Sequence, residues 1–318
     1  MDSATVSEAA ARRPTGRQVL RVLAPAAFLV ALAAACVVRG IPTSRDALFL
    51  WLTLGLAAFT ATGPRSRLRG LLVDWLPLAA ILFAYDLLRG YADELQSAHI
   101  WPQLRFDEWV FFGTVPTVWL QQHLWNGTVD WFDYVKWVVY LTHFVATLTV
   151  AACLWLFRRE LFRPYAAMVA LLAAMGFATY AAFPAVPPWM ASDEGHLGQV
   201  DRVVRFVSVD APVDFFGSVW ESGSRYANDV AAMPSLHAAY ALLIAQFFWP
   251  LVTRPWWRAA LLAYPVAMGF ALVYTGEHYV SDVLAGWLYA GIAFAAVTWF
   301  VRRREVTHAR ARAAGRTT

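Results

Sequence analysis

Apolar residues in this chain gather into long runs, and polar residues collect where the runs end. The runs extend from about Gln18 to Val38, Ala47 to Thr62, Leu71 to Leu88, Tyr134 to Phe157, Tyr165 to Phe183, Ser235 to Pro250, Pro255 to Tyr274 and Tyr279 to Val301. About 20 apolar residues in a helix cross the roughly 30 Å hydrocarbon layer of a bilayer. Backbone N–H and C=O groups find no water there, so such runs fold as helices. The pattern predicts an all-α fold, a polytopic membrane helix bundle of about eight transmembrane spans. A single membrane domain at 17–302 is expected, behind a flexible cytoplasmic N-terminus at 1–16 and ahead of a basic cytoplasmic tail at 303–318. An even number of spans puts both termini on one side.

Two connections are long. The stretch from Tyr91 to Asp130 contains PTVWLQQHLW, Pro116 to Trp125, whose aromatic and polar mixture suits a helix lying in the interface. The stretch from Pro184 to Met233 opens with FPAVPPWM, and in it Val200, Val203, Val204 and Val207 recur at helical spacing. Both are expected to fold as a lid or rim over one face. No long polar segment could form a separate soluble domain.

Composition sharpens this picture. The chain is 59% hydrophobic and 15% charged, against about 45–50% and about 25% in soluble domains. The two cysteines, Cys36 and Cys153, lie inside apolar runs and do not suggest a disulfide framework. Lys136 is the single lysine among 26 basic residues, a bias attributed to genome composition, and no nucleic-acid partner is expected. Placement of charge is more telling than its sum. Eighteen of the 26 basic residues fall at one set of ends, in groups such as Arg65, Arg67 and Arg69 or Arg158, Arg159 and Arg163. The positive-inside rule makes those ends cytoplasmic. The chain then sits in the plasma membrane with both termini inside and the opposite ends facing outward.

Chemistry concentrates between Asn228 and Asp282. Pro234 and Ser235 read as a helix start, with proline tolerated in a first turn and serine a good cap. His237 then stands in that first turn, where free N–H groups favour an anion, phosphate above all. The two runs between His237 and His278 form a hairpin, so both histidines belong to one face. Asp282 follows His278 by four residues, one helical turn, and can accept its N–H and fix its tautomer. A histidine so assisted can attack phosphorus, and the other imidazole can protonate a leaving oxygen. A lone histidine at an interface is ordinarily structural. Two converging at one face with a carboxylate in register mark a site. Lys136 with Asp133, and His143 deeper in its span, read as structural packing.

MPSLH, Met233 to His237, and GEHYVSDVLAG, Gly276 to Gly286, resemble the second and third signatures of the type-2 phosphatidic-acid phosphatase superfamily. More closely, the chain resembles its inositol-phosphorylceramide-synthase-like branch (inositolphosphotransferases), which has PSLH where most members have PSGH. The resemblance covers roughly Phe183 to Val301. It implies a six-helix core, a phosphohistidine intermediate and phosphoryl transfer without metal or cofactor. Carried across, His278 is the nucleophile, Asp282 its partner, His237 the general acid, and Ser235 a phosphate contact. The first signature is not visible, and Leu272 stands where an arginine usually precedes the nucleophile by six residues. The synthase-like branch also lacks that arginine. Arg89, with Asp86 one turn before it, and Arg225 are the favoured replacements, with Arg202 and Arg205 also at that face. The expected substrate is a lipid phosphate or polyprenyl phosphate among membrane lipids. A phosphatase hands the phosphoryl group to water, and a transferase hands it to inositol or another polyol. Two further readings are a metal-dependent hydrolase using His237, His278 and Asp282 as ligands, and a transporter. Charges gathered at one face, rather than through the depth of the spans, disfavour the transporter.

Overall fold

The segment LHAAYALLIAQFF is apolar on nearly every face, and a helix of that kind belongs in the middle of a bundle. The computed structural model describes residues 16–39, 45–61, 69–89, 97–209 and 228–314, and it places this segment centrally. In chain order the helices are α1 (Gly16–Arg39), α2 (Arg45–Thr60) and α3 (Leu76–Arg89), the last preceded by a π-helical turn at Leu71–Trp75. Then come α4 (Trp101–Val110), α5 (Pro116–Leu124), α6 (Trp131–Phe157), α7 (Arg159–Ala182), α8 (Pro188–Asp193) and α9 (Val203–Val209). The last three are α10 (Leu236–Phe248), α11 (Pro255–Tyr274) and α12 (Val280–Ala314). Among the described residues no strand forms, and two isolated bridges join His99 to Ala185 and Ala185 to Ala231.

Helices at Gln18–Val38, Trp131–Phe157, Arg159–Ala182, Pro255–Tyr274 and Val280–His308 are long and apolar enough to cross a membrane. Ala47–Thr60, Leu71–Tyr85 and Leu236–Leu251 are shorter apolar helices. Together they coincide with the runs read from the sequence. The chain is an integral membrane protein built as a polytopic helical bundle.

Small residues decide what stands at the centre. Ala238, Ala239, Ala241 and Ala245 of α10 are buried, and alanine lets neighbouring backbones approach. α11 and α12 flank α10, with α6 and α7 behind it. Phe162, Tyr165, Met168 and Leu172 of α7 continue the core towards α2 and α3. Two hydroxyl pairs cross between helices within this apolar mass, Thr142 with Tyr264 and Thr179 with Tyr289, each at 2.8 Å. α1 lies outside, packing Phe28 against Trp51 and Phe59 of α2.

The two ends of the bundle differ. At one end Asp74 is buried and accepts from both Arg159 (Nε 3.1 Å, Nη2 2.6 Å) and Arg163 (Nε 3.1 Å, Nη2 3.0 Å). A buried carboxylate without such partners is strongly destabilising. The opposite end carries the connections. The predicted helix in PTVWLQQHLW is α5. The valine spacing is realised from Val203 onward as α9, and Val200, Val203, Val204 and Val207 are all buried. Gln121 of α5 fastens this rim to the core, accepting from Asp201 N and donating to the carbonyls of Asp201 and Tyr274 at 2.8–2.9 Å.

α10 and α12 meet at backbone distance, Ser235 N donating to Asp282 O at 2.9 Å. Glycine at 286 permits this, since a Cβ there would collide with the Ser235 carbonyl oxygen. Gly286→Ala is therefore expected to lower the thermal midpoint in detergent, at an overpacking cost of about 1–3 kcal/mol. It should also reduce turnover more than the lost folded fraction explains, read as activity per folded molecule.

Candidate functional site

Each histidine is placed by a different local rule. Ser235 is the N-cap of α10 and its Oγ accepts from Ala238 N at 3.3 Å, so His237 falls in the first turn. The chain enters this cap under restraint, because Tyr180 donates its hydroxyl to Pro234 O at 2.7 Å. His278 is set by the end of α11. Gly276 at φ +81 follows the last turn, with Gly276 N bonded to Val273 O and Glu277 N to Leu272 O. That is the paired-bond ending in which a left-handed residue closes a helix. Glycine is required twice over, by its φ and because a Cβ would stand 2.9 Å from Asp201 O. Leu272, where the family pattern places an arginine, is wholly buried and supplies this carbonyl.

The two imidazoles stand with ring centroids 5.6 Å apart and planes tilted by 58°. His278 and Asp282 are buried, and His237 is half-buried. His278 does not lie on the helix with Asp282, as the sequence reading had it. α12 begins at Val280, and the pair meets across the helix start, His278 Nδ1 standing 3.5 Å from Asp282 Oδ2. This is longer than a typical N–H···O bond of about 2.9–3.0 Å. The same Oδ2 accepts from Tyr279 N at 2.9 Å, so Asp282 serves the helix start and the histidine at once.

Four residues of the site were not singled out for it in the sequence. His143, read there as structural packing, has its ring centroid 3.9 Å from that of His237, and Tyr140 stacks on His237 at 5.0 Å and 18°. Tyr140 and His143 are three apart on α6, and that face was the one available signal. Asp107 of α4 is wholly buried, and its carboxylate accepts from Val280 N at 2.9 Å and Ser281 N at 3.0 Å. Glu277, next to His278, is held by Arg202 through Nε at 2.7 Å and Nη2 at 3.2 Å. Arg202 also stands 3.5 Å from Asp229 and lies over the Trp189 ring. Burial works against its charge, but Glu277 more than offsets this, with help from Tyr140 and Asp229, and Arg202 remains a firm cation.

Arg205, one turn on, points outward and is exposed. Arg225 and the side chain of Arg89 lie outside the described residues. Lys136 and Asp133 pair at 3.2 Å, both buried, and Tyr274 donates its hydroxyl to the same Asp133 oxygen at 2.8 Å, a latch between α6 and α11. Among the described residues no group of three or more His, Cys, Asp or Glu side chains is arranged to hold a metal ion. The arrangement offers two imidazoles converging on one space, one backed by a carboxylate, beside a helix N-terminus. That suits transfer of a phosphoryl group.

Burial pushes the Asp107 carboxyl up to about 6, against the pull of its two backbone donors. Asp282 on α12 adds to the rise, and Tyr279 is the other titratable group facing it, with Glu108 on its own helix. A carboxyl raised above its unfolded value of about 3.9 costs stability once ionised, and the cost is relieved as pH falls through about 6 towards 4. The wild-type thermal midpoint should thus rise relative to that of Asp107→Asn between pH 7 and pH 5. Parallel melting curves over that range would contradict the assignment.

Comparison with known proteins bears on the same residues. Residues 101–296 match the family model described as the PAP2 superfamily, which takes in both histidines and Asp107. Over 290 residues the chain is 27% identical to phosphoinositol dihydroceramide synthase of Bacteroides thetaiotaomicron, covering 86% of this chain and 89% of the relative. No solved structure matches the chain.

Proposed function

The chain belongs to the PAP2 superfamily, and from that membership we propose that this membrane lipid phosphatase or phosphotransferase works through a phosphohistidine on His278. The observation that carries the reading is the convergence of His237 and His278, 5.6 Å apart, with Asp282 at the Nδ1 side of His278. Asp282 holds that nitrogen as the donor, leaving Nε2 as nucleophile. Nε2 attacks phosphorus, the bond from phosphorus to the leaving oxygen breaks, and His237 gives its proton to that oxygen. An acceptor hydroxyl then attacks phosphorus, its proton passes to His237, and the P–N bond breaks to free His278. Phosphate sits at the first turn of α10, where the Ser235 Oγ caps one N–H and its own hydroxyl proton is left to donate. Arg202 is committed to Glu277 and Asp229 and steadies the turn carrying His278. The cations that meet phosphate in this reading are Arg89 and Arg225. His237 and His278 face outward, away from the arginine-rich ends, in the plasma membrane.

The second reading is a polyol-phosphotransferase that makes a phosphodiester lipid: His278 takes the polyol phosphate from a phosphodiester lipid as that lipid's alcohol leaves, and a second lipid alcohol takes it up. It is favoured by the synthase relative, similar over most of both chains, and by Leu272 at the position of the missing arginine. Incubation of the purified protein in chelator with a panel of lipid phosphates and, in parallel, with an inositol phosphodiester lipid plus a lipid alcohol separates the two. Free phosphate in chelator supports hydrolysis, and a new phosphodiester formed only when the lipid alcohol is present supports transfer. Activity restored only by a divalent metal would overturn the histidine mechanism.

His278→Ala is expected to abolish turnover in folded protein, and substantial retained activity would remove it as nucleophile. Asp282→Asn should lower kcat by about 100-fold or more through loss of the favoured tautomer, within the range general acid–base partners contribute. His237→Ala should cost least with substrates whose leaving group needs no proton, such as aryl phosphates. A cysteine placed at Thr317 should react with an impermeant maleimide only after cells are permeabilised. Labelling of intact cells would reverse the orientation.

A further inference from the structure

The first N–H groups of a helix have no acceptor within it and are met from outside. In α12 the arrangement is unusual. Tyr279, at the N-cap position, carries an aromatic side chain that does not cap, and its own N–H goes to Asp282 Oδ2 at 2.9 Å. Val280 and Ser281, the first two residues of the helix, give their N–H groups to a carboxylate far away in sequence, that of Asp107 on α4, at 2.9 and 3.0 Å. Asp107 and Asp282 are both fully buried. Asp282 Oδ1 has no hydrogen-bond partner among the described residues. A carboxylate at the third helical position, with a free oxygen beside unmet N–H groups, would turn to them. Asp107 occupies those groups first.

We infer that Asp107 is a positioning residue, which satisfies the opening amides of α12 so that Asp282 remains turned towards His278. It touches neither imidazole in the described contacts and acts through Asp282. The rim helix α4 is thereby part of the reaction centre's support, and the helix N-terminus next to His278 is closed to phosphate, leaving that of α10. The inference rests on the proposed role of His278.

The test needs no lipid substrate. Orthovanadate, which takes the five-coordinate geometry of a transferring phosphoryl group, binds transition-state machinery preferentially. Its Kd is measured by calorimetry on the purified full chain in detergent, with thermal midpoints recorded for every variant. Wild type should bind, and His278→Ala should not. Asp107→Asn, which keeps one acceptor oxygen and volume, should weaken binding about tenfold in protein that its melting curve shows to be folded at the assay temperature. Glu108→Gln, its exposed neighbour, should bind like wild type. The double variant Asp107→Asn/Asp282→Asn should bind no more weakly than Asp282→Asn alone, because the first acts through the second. Wild-type affinity in Asp107→Asn, or additive losses in the double variant, would overturn the inference while the phosphohistidine reading stands. Failure of the wild type to bind vanadate, or retained binding by His278→Ala, would overturn that reading and the inference with it.

Discussion

A backbone contact between two helix starts governs this molecule. Ser235 opens α10 and Asp282 lies in the first turn of α12, and the hydrogen bond between their main chains fixes how the two starts face each other. The position of His237 follows from the first start and that of His278 from the residues leading into the second. Their separation is thus set by main chain, which has few soft degrees of freedom, and not by long side chains finding one another. Gly286 is the residue that lets the backbones come so close.

Around that joint the buried charges are shared out without overlap. Asp133 joins Lys136 and Tyr274, tying α6 to α11. Glu277 joins Arg202, tying the turn before His278 to the rim. Asp107 joins the opening amides of α12 to α4. Each contact spans two elements, and each would be costly to break because the survivor would be a buried, unpaired group. Among these carboxylates Asp282 alone keeps one oxygen, Oδ1, without a hydrogen-bond partner among the described residues, while its Oδ2 stands beside an imidazole.

The bundle was legible in the sequence because apolar length and spacing report the membrane directly. The hairpin between His237 and His278 was legible for the same reason, since two apolar runs joined by a turn return the chain to the face it left. Ser235 as a cap and Val203, Val204 and Val207 as a buried helical face follow from local rules. Asp107 was not legible. It lies in RFDEWV, a short segment without strong periodicity, and its partners are brought to it only by tertiary packing. Arg202 and Arg205 read alike as rim arginines, and only the docking of α9 against Thr275 and Glu277 turns the first inward and leaves the second exposed. His143 looked like a span residue because its depth along α6 was visible and the rotation of α6 was not.

That rotation leads back to the paired hydroxyls, Thr142 with Tyr264 and Thr179 with Tyr289. Contacts between apolar side chains tolerate small slides and turns, since one methyl substitutes for another at little cost. A hydroxyl pair inside hydrocarbon has a direction: each threonine donates to a carbonyl of its own helix, Val139 at 2.6 Å and Met175 at 3.2 Å, which leaves its oxygen to accept from the tyrosine. Such bonds average only about 0.6 kcal/mol in membrane proteins, so they add little to the strength of the bundle. Their effect is on its indexing. α6 is keyed to α11 and α7 to α12, in the manner of splines on a shaft. The faces bearing Tyr140 and His143 on α6, and Tyr180 on α7, therefore arrive at the histidines at one angle.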